Sequence, residues 1–244
     1  MWSHTNCARE YWMKEIYENY LENAFGEYEQ AEFKFDQFEL NYRKFFPENK
    51  ERRVLDIGVG RGEMLTCMKR WGYGAYSGID ISPSTIGYCA TLDLNCELVT
   101  DTAEWLRSRR GSFEVITLLD VLEHVKKEAT IGFLRAIHDG LAEGGKVIIQ
   151  VPNLQAPDGH LHRYNDITHE VGYVEHSLQQ VLRTAGFTTI EFFGYEDYKP
   201  TGLYLKLIRL VRALYWAKIH FTRRLTCNMN PLILHPVLCA VARK

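Results

Sequence analysis

A glycine-rich turn after an apolar strand is the feature that most constrains this chain of 244 residues. The segment reads Val-Leu-Asp-Ile-Gly-Val-Gly-Arg-Gly over residues 54–62. Glycines at three alternate positions let the backbone pass close to a neighbour, because a Cβ there would hold it away. A helix beginning just after Gly62 points its free N–H groups and the positive end of its dipole at the same place. The pattern predicts a turn that cradles a ligand carrying a nucleotide or a carboxylate.

The spacing of the glycines separates two cofactor classes. A dinucleotide fingerprint, Gly-x-Gly-x-x-Gly, counted from Gly58 requires a glycine where this chain has Glu63. Asp56, on the strand, suits a ligand with a cationic amino-acid end and repels a pyrophosphate. The segment resembles the first motif, V-L-D-x-G-x-G-x-G, of the Rossmann-like (class I) methyltransferases that depend on S-adenosylmethionine (SAM). This resemblance implies SAM as the cofactor, with Asp56, Gly58 and Gly60 in its site.

Composition limits the class of protein. A length of 244 residues and a hydrophobic content of 46% predict one domain with a substantial core. The formal net charge of −2 gives no argument for a nucleic-acid partner. The 6 cysteines are scattered without a C-x-x-C pair, which is typical of reduced thiols and predicts no zinc site. The start of the chain has no signal-peptide pattern, and no 18-residue apolar run occurs. We therefore expect a cytoplasmic protein.

The alternation of short apolar runs with helical patterns predicts a three-layer α/β fold with a mainly parallel sheet. The family resemblance implies seven strands, the last one antiparallel and inserted between its neighbours. Helices are expected to begin near Gly62, Ser84, Ala103, Lys126 and Ser177. The predicted strands are Arg53–Ile57, Ala75–Asp80, Cys96–Thr100, Glu114–Leu119, Lys146–Val151, Thr188–Phe193 and Val237–Val241.

The two ends of the chain are expected to be helical. Residues 1–50 are predicted as an N-terminal helical lid, and residues 51–244 as the methyltransferase domain with a helical insertion at about 200–225. An aromatic stripe at helical spacing runs through Phe35, Phe38, Tyr42 and Phe45. The sequence leaves open whether this stripe packs in the core or covers the cofactor cleft.

The helical segment near the C-terminus is apolar on one face and mixed on the other. A helix of this kind is buried, shared with a second subunit, or pressed on a membrane. No acidic residue follows Asp197, so the basic side chains there suit anionic lipid or a phosphorylated substrate, unless they are solvated or paired. We expect a homodimer interface or a peripheral contact with the inner face of the membrane. The apolar face comprises Leu203, Leu207, Leu210, Leu214, Ala217 and Phe221.

Ligands of open α/β sheets bind at the carboxyl ends of the strands. At the second strand end, Asp80 is placed to accept hydrogen bonds from a ribose diol, and Ile81 to pack on the adenine. At the third, Thr100-Asp101-Thr102-Ala103 resembles the family segment that recognises the adenine edge, which implies roles for Asp101 and Thr102. Asp at a helix start also suits a plain N-cap, and both interpretations stay open.

The fourth strand ends in Asp-Val-Leu-Glu-His-Val over residues 120–125, which resembles a group that includes ubiquinone-biosynthesis O-methyltransferases. The resemblance places Asp120 beside the methionine part of SAM. A hydroxyl acceptor needs a base because its own pKa is far above neutral. The first choices are His124 and His169, with Glu123 as a further catalytic candidate. Other candidates lie in the loop after the fifth strand: His160, His162, Asp166 and Glu170.

The loop segment Arg163–Glu170 resembles methyltransferases from bacterial O-antigen and capsule gene clusters. That resemblance implies a sugar or glycan acceptor, nucleotide-linked or lipid-linked. Two alternatives remain: a small aromatic or quinone-type acceptor, and a non-catalytic SAM-binding scaffold. The loop histidines, or Asp120 with Glu123 and His124, are of metal-ligand type. Loop histidines are more often solvated or hydrogen-bonded, so no metal is predicted.

Overall fold

A seven-stranded sheet organises the protein, whose computed structural model describes residues 15–19, 21–22, 30–199, 201–228 and 231–244. The strands are β1 (Val54–Ile57), β2 (Tyr76–Asp80), β3 (Cys96–Leu98), β4 (Phe113–Leu119), β5 (Leu141–Pro152), β6 (Thr189–Gly194) and β7 (Val237–Arg243). The helices are α1 (Glu32–Asn41), α2 (Glu63–Arg70), α3 (Pro83–Thr91), α4 (Thr102–Arg107), α5 (Thr130–Gly140), α6 (Gly159–Tyr164), α7 (Glu175–Ala185) and α8 (Leu203–Leu225). Short 3₁₀ turns cover Arg43–Phe45 and Leu122–His124.

The strand order is β3-β2-β1-β4-β5-β7-β6. Strands β1 to β5 pair in parallel, and β7 lies antiparallel between β5 and β6. The predicted fold class and the inserted antiparallel strand are therefore confirmed. The predicted strand boundaries differ most at β5, which begins at Leu141 rather than Lys146. Gly144 adopts a φ of 73° there, so the chain bends within the strand instead of ending before it.

Side chains alternate across the sheet and divide the core into two layers. Leu55 belongs to the layer that packs with helices α4, α5 and α7, whereas Val54 belongs to the layer beneath α1, α2 and α3. By the same alternation, Asp56, Thr117 and Gln150 lie on the α1 side of the sheet. All three are buried, and each lies at or near the carboxyl end of its strand. The fold thus concentrates buried polar groups at one edge of the sheet.

The aromatic stripe of the N-terminal region packs in the core. Phe38 and Tyr42 are buried in the α1-side layer, and Phe35 and Phe45 pack against it. Phe38 also lines the cleft described below. Core packing of the stripe is therefore observed, and a role in covering the cleft stays a prediction. Residues 1–14, 20 and 23–29 of the predicted lid lie outside the described residues, and the boundary at residue 50 stays a prediction.

Helix α8 lies against the rest of the chain without burying any of its residues. Its apolar face is exposed, with Leu210 at 56% and Leu214 at 63% of full exposure. Its basic face is partly paired, because Arg212 contacts Asp197 at 2.7 Å. Among the described residues, no helix is both long and apolar enough to cross a membrane.

Candidate active site

The glycine turn forms one wall of a cleft of about 510 Å³ at the carboxyl edge of the sheet. Gly58, Gly60 and Gly62 all have positive φ angles, of 76°, 51° and 74°. A Cβ at Gly58 would collide with Cγ2 of Val121, which follows β4. Glycine is therefore required both by the backbone conformation and by the close approach of the neighbouring strand end. Because α2 begins at Glu63, its N-terminus faces the turn.

Asp80, the last residue of β2, is held against the glycine turn by backbone donors. The Gly60 amide lies 3.4 Å from Oδ2, and the Ser82 amide donates to Oδ1 at 2.8 Å. Burial raises the pKa of Asp80, while these backbone hydrogen bonds oppose the rise. The carboxylate also lines the cleft, where its remaining lone pairs can accept from a ribose diol.

Asp56 lies beneath the turn with only 2% of its surface exposed. The Thr117 hydroxyl donates to its Oδ1 at 2.5 Å. Burial, helped by the nearby charges of Asp80 and Glu63, raises the pKa of Asp56 to about 8. The carboxyl group is therefore protonated at neutral pH in the protein without ligand, and a cation in the cleft favours its ionised form.

The residues predicted to bind the adenine differ in position: two of them line the cleft, and the third caps a helix. Ile81 and Thr102 line the cleft, and Ile81 is 41% exposed, as a hydrophobic contact for a flat ring requires. Asp101 accepts a hydrogen bond from the Glu104 amide at 2.9 Å and caps α4. Asp101 does not belong to the described residues that line the cleft. Of the two interpretations of Asp101, the structure displays the cap, and an adenine contact stays a prediction.

Asp120 follows β4 in a left-handed conformation, with φ of 54°, which non-glycine residues adopt rarely. Gln150 from β5 donates from Nε2 to its Oδ2 at 2.6 Å, and the Tyr42 hydroxyl donates to Oε1 of Gln150. Burial raises the pKa of Asp120, whereas Lys34 and Gln150 lower it. Neither Gln150 nor Tyr42 was predicted as a site residue, because neither belongs to a motif.

Glu123 lies in the 3₁₀ turn after β4 and exposes 2% of its surface. Its backbone carbonyl accepts from the amides of Glu170 and Val171, at 2.7 and 3.0 Å. These two bonds attach the loop after β5 to the end of β4 and bring His169 beside this turn. Burial, followed by the charge of Asp120, raises the pKa of the Glu123 carboxyl well above its usual range.

His124 is oriented by a hydrogen-bonded chain from the loop. The Thr168 hydroxyl lies 2.8 Å from Nδ1 of His124 and 2.6 Å from Oδ1 of Asp166. Burial alone would raise the pKa of Asp166, but the Thr168 hydrogen bonds, together with the charges of His124 and His169, outweigh it and lower the pKa. The Asp166 carboxylate therefore accepts the hydrogen bond from the Thr168 hydroxyl. Nδ1 of His124 must then donate to Thr168, which leaves the lone pair on Nε2. Burial, with the charge of His169, lowers the pKa of His124 to about 4.

His169 lies beside His124, with ring centroids 4.7 Å apart. Its Nδ1 lies 2.8 Å from the His162 carbonyl, which can only accept, so Nδ1 carries a proton and donates to that carbonyl. His162 and Asp166 line the cleft, whereas His160 is exposed on α6 and, like Glu170, is not among the described cleft-lining residues. The structure brings the three residues predicted as catalytic together at one end of the cleft: Glu123, His124 and His169.

Residues from the N-terminal region complete the cleft. Tyr17, Lys34 and Phe38 line it, and Lys34 and Phe38 are four positions apart on one face of α1. In the sequence, only Phe38 of these three could be predicted to line the cleft, because it belongs to the aromatic stripe. Nothing in the sequence indicated Lys34 or Tyr17, since their positions depend on how the N-terminal region packs against the sheet.

The residues of the cleft suit SAM chemically. The glycine turn leaves no room for a Cβ at Gly58, and the Asp80 carboxylate can accept hydrogen bonds from a nucleoside. Asp56 and Asp120 supply acidic groups that suit a cationic amino-acid end. Glu123, His124 and His169 line the same cleft. The assignment of each residue to a part of SAM stays a prediction.

The chain is similar in sequence to known methyltransferases. A family model described as a methyltransferase domain matches residues 30–191. The ubiquinone biosynthesis O-methyltransferase of Pseudomonas aeruginosa (strain LESB58) is 32% identical over 107 residues, covering 42% of this chain and 45% of that protein. The protein of the same description from Ralstonia nicotianae is 30% identical over 169 residues, covering 63% and 70%. The chain thus spans less than half of the first of these relatives.

Among solved structures, a SAM-dependent methyltransferase from Archaeoglobus fulgidus superposes with a TM-score of 0.64. The identity is 23%, and the match covers 86% of this chain and 94% of the other. At this identity the likeness concerns the fold. It supports the three-layer arrangement of sheet and helices.

Proposed function

Because the chain belongs to the methyltransferase-domain family, we propose that it is a SAM-dependent O-methyltransferase. The observation that carries this proposal is one continuous cleft that joins Asp80, at the nucleoside end, to Glu123, His124 and His169 at the other. When bound, SAM supplies a methyl group on a sulfonium that leaves as a thioether. The protein's main task is to hold an acceptor hydroxyl in line with that methyl group.

The cluster at the acceptor end is suited to taking the hydroxyl proton. His124, with a pKa of about 4, holds no proton at Nε2 at neutral pH and binds the hydroxyl through that atom. Glu123 is a stronger proton acceptor than an ordinary carboxylate once it is ionised, because burial raises its pKa. We assign proton uptake to Glu123 or His169 and orientation of the hydroxyl to His124.

For the acceptor we propose a small aromatic or quinone-type molecule with a free hydroxyl. The relatives named for ubiquinone biosynthesis support this choice, and Phe133 and Val125 supply apolar surface in the cleft. A sugar hydroxyl of a bacterial surface polysaccharide is the second candidate. It is favoured by the polar side chains of Asn165 and Asp166, which the Arg163–Glu170 segment brings to the same cleft.

Transfer of labelled methyl from SAM by the purified protein tests the proposal. A catechol-type phenol and a set of nucleotide sugars are offered separately, and the Asp80→Ala variant is the control with weakened cofactor binding. Label in the phenol supports the first acceptor, and label in a nucleotide sugar supports the second. SAM binding without transfer to any acceptor, in these assays and in a cell extract lacking the gene, would favour the non-catalytic scaffold.

For the exposed face of α8 we propose contact with an anionic membrane surface. The described residues after Asp197 include no acidic side chain, while Lys206, Lys218 and Arg224 flank the apolar face. Flotation with vesicles of phosphatidylcholine, with and without phosphatidylglycerol, tests this. We expect binding that requires the anionic lipid and weakens with salt. A stable homodimer in light scattering, disrupted by Leu210→Ser, would instead assign the face to a second copy.

A further inference from the structure

A buried free cysteine packs directly against the glycine turn. Sγ of Cys89, near the C-terminal end of α3, lies 3.8 Å from the Gly60 carbonyl oxygen. A Cβ added at Gly62 would lie 3.1 Å from the same sulfur. The Cys89 thiol therefore touches the turn that shapes the cleft, although no step of the proposed reaction uses it.

A second free cysteine, Cys96, meets this thiol from a neighbouring element. The chain reverses after α3, where Asp93 adopts a φ of 53° and the Leu94 amide donates to the Cys89 carbonyl at 3.1 Å. Cys96 then begins β3, an edge strand of the sheet, and packs against the core layer that contains Cys89. The two thiols are close enough to share a hydrogen bond, so they form one side-chain pair.

The two thiols of this pair differ in reactivity. Cys96 is partly exposed, and the hydrogen bond from Cys89 lowers the pKa of its thiol. The same hydrogen bond, together with burial, raises the pKa of the Cys89 thiol. Because the thiolate is the nucleophile, Cys96 is the thiol that reacts with an oxidant, and Cys89 is the neighbour that can resolve the product. An accessible thiol of low pKa beside a resolving cysteine is typical of redox sensors.

Both cysteines lie on segments that hold Asp80, the residue proposed to bind the ribose. Cys89 lies on α3, whose capping residue Ser82 donates its amide to Oδ1 of Asp80 at 2.8 Å. Cys96 lies on β3, and the Val99 amide just beyond that strand donates to the Asp80 carbonyl at 2.8 Å. A covalent link between α3 and β3 therefore acts on both sides of Asp80.

We propose that Cys89 and Cys96 form a peroxide-sensitive disulfide site whose oxidation weakens SAM binding. In the first step the Cys96 thiolate attacks one oxygen of hydrogen peroxide and the oxygen–oxygen bond breaks. The products are a sulfenic acid and hydroxide, which takes up the proton that the thiol lost and becomes water. In the second step the Cys89 thiol attacks the sulfenic sulfur, the sulfur–oxygen bond breaks, and a second water leaves. Two thiols are thus oxidised, and one peroxide is reduced to two waters.

The disulfide changes the surroundings of the turn. Bonded sulfurs lie about 2 Å apart, so the two thiols must move toward each other from their hydrogen-bonded positions. Movement of Cys89 alters its contact with the carbonyl of Gly60, the residue whose amide lies 3.4 Å from Oδ2 of Asp80. We expect the oxidised protein to bind SAM at least about fivefold more weakly, as the loss of a hydrogen bond to a charged group would cause. This effect rests on the proposed function, whereas formation of the disulfide does not.

Peptide mapping after treatment with hydrogen peroxide tests the disulfide itself. Trypsin releases both cysteines on the peptide 71–107, and further cleavage before Asp93 separates them. We expect the two fragments to remain joined, with a loss of two hydrogens, until dithiothreitol releases them. Cys96→Ser should abolish the link. Cys227→Ser is the matched control, because it removes an exposed thiol just after α8 and should leave the link unchanged.

Calorimetry on the same samples, after removal of the peroxide, tests the effect on the cofactor. Oxidation should raise the SAM Kd of the unsubstituted protein and of Cys227→Ser at least about fivefold, and dithiothreitol should restore it. The SAM Kd of Cys96→Ser should change by less than about twofold on treatment. Cys89→Ala is the second variant and should be equally insensitive to peroxide.

Absence of joined fragments, or a disulfide that changes the SAM Kd by less than about twofold, would overturn the proposal. Either result, in protein that binds SAM when reduced, leaves the proposed methyltransferase function untouched. A disulfide in protein that binds no SAM even when reduced would confirm the reactive pair and overturn the proposed function, together with the effect that rests on it.

Discussion

Gln150 donates a hydrogen bond of 2.6 Å from Nε2 to Oδ2 of Asp120, between the ends of two adjacent parallel strands. The Tyr42 hydroxyl donates to Oε1 of the same amide, so the orientation of Gln150 is set from both sides. In addition, the Asp120 amide donates to the Gln150 carbonyl at 3.0 Å. These hydrogen bonds connect Tyr42, just after α1, through Gln150 to Asp120, the cleft residue whose backbone is left-handed.

Replacing Gln150 tests that coupling. Gln150→Leu leaves the Asp120 carboxylate and the buried Tyr42 hydroxyl without this partner, at a cost of about 1–3 kcal/mol. We expect SAM affinity to fall by about fivefold to a hundredfold in calorimetry. A matched exposed substitution, Gln180→Leu on α7, should change affinity little. SAM affinity within about twofold of the unsubstituted protein would show that Gln150 does not position Asp120 for the cofactor.

Asp80→Ala should weaken SAM binding by at least about tenfold. It removes the acceptor proposed for the ribose hydroxyls, and a hydrogen bond to a charged group contributes about 1.5–3 kcal/mol. It also releases the contact with the Gly60 amide that shapes the turn. Asp139→Ala, which removes the surface contacts of that carboxylate with Arg110 and His138, serves as the comparison. A loss of less than about fivefold would sink the assignment of Asp80.

Thr168 is expected to act on catalysis through His124. Thr168→Val removes the hydroxyl that accepts from Nδ1, so the ring can adopt the tautomer whose Nε2 carries the proton. We expect kcat to fall about tenfold or more, equivalent to about 1.4 kcal/mol, with a smaller change in the KM for SAM. Thr168→Ser keeps the hydroxyl and should retain kcat within about threefold. Equal losses in both variants would indicate a packing defect instead.

Asp56 should make the ligand-free protein less stable as the pH rises. Its pKa is about 8 in the folded protein, against an ordinary value of 3.8 for an aspartate. Between these values the folded protein keeps a proton that the unfolded chain has lost, so stability falls with pH by up to about 1.4 kcal/mol per unit. Asp56→Asn has no such titration and can still accept from Thr117.

Urea unfolding of both proteins at a series of pH values from about 5 to about 8 measures this difference. The stability of Asp56→Asn minus that of the unsubstituted protein should rise steadily with pH. The opposite contribution of His124, whose lowered pKa favours stability as the pH rises from about 4 to 6.5, is shared by both proteins and cancels. A difference that is flat over the whole series would show that Asp56 is ionised throughout.

The positions of the strands along the chain and the glycine turn could be predicted from the sequence because both depend on local patterns. The place of β7 between β5 and β6 followed only from the family resemblance. A run such as residues 54–57 is apolar enough to be buried, and the turn at Gly58 requires a conformation that few other residues adopt. Asp80 and Asp120 could be placed for a related reason, since each closes or directly follows an apolar strand in a parallel sheet. The carboxyl ends of such strands meet at one edge.

The chemistry at the acceptor end was decided by the tertiary structure. The sequence shows that His124 and His169 are present, but it does not predict that they meet. Two amides of the loop donate to the Glu123 carbonyl, and the centroids of the two rings then lie 4.7 Å apart. The tautomer of His124 could not be predicted either, because it depends on the hydrogen bonds of Thr168 and Asp166. The same holds for the buried Glu123 carboxylate, which accepts no side-chain hydrogen bond among the described residues. Strands, helices and turns leave local patterns in the sequence, because backbone geometry and burial restrict which residues they accept. Those patterns were enough to predict the elements of the fold. Proton positions and burial at the site depend on contacts between distant segments, so only their packing could decide them.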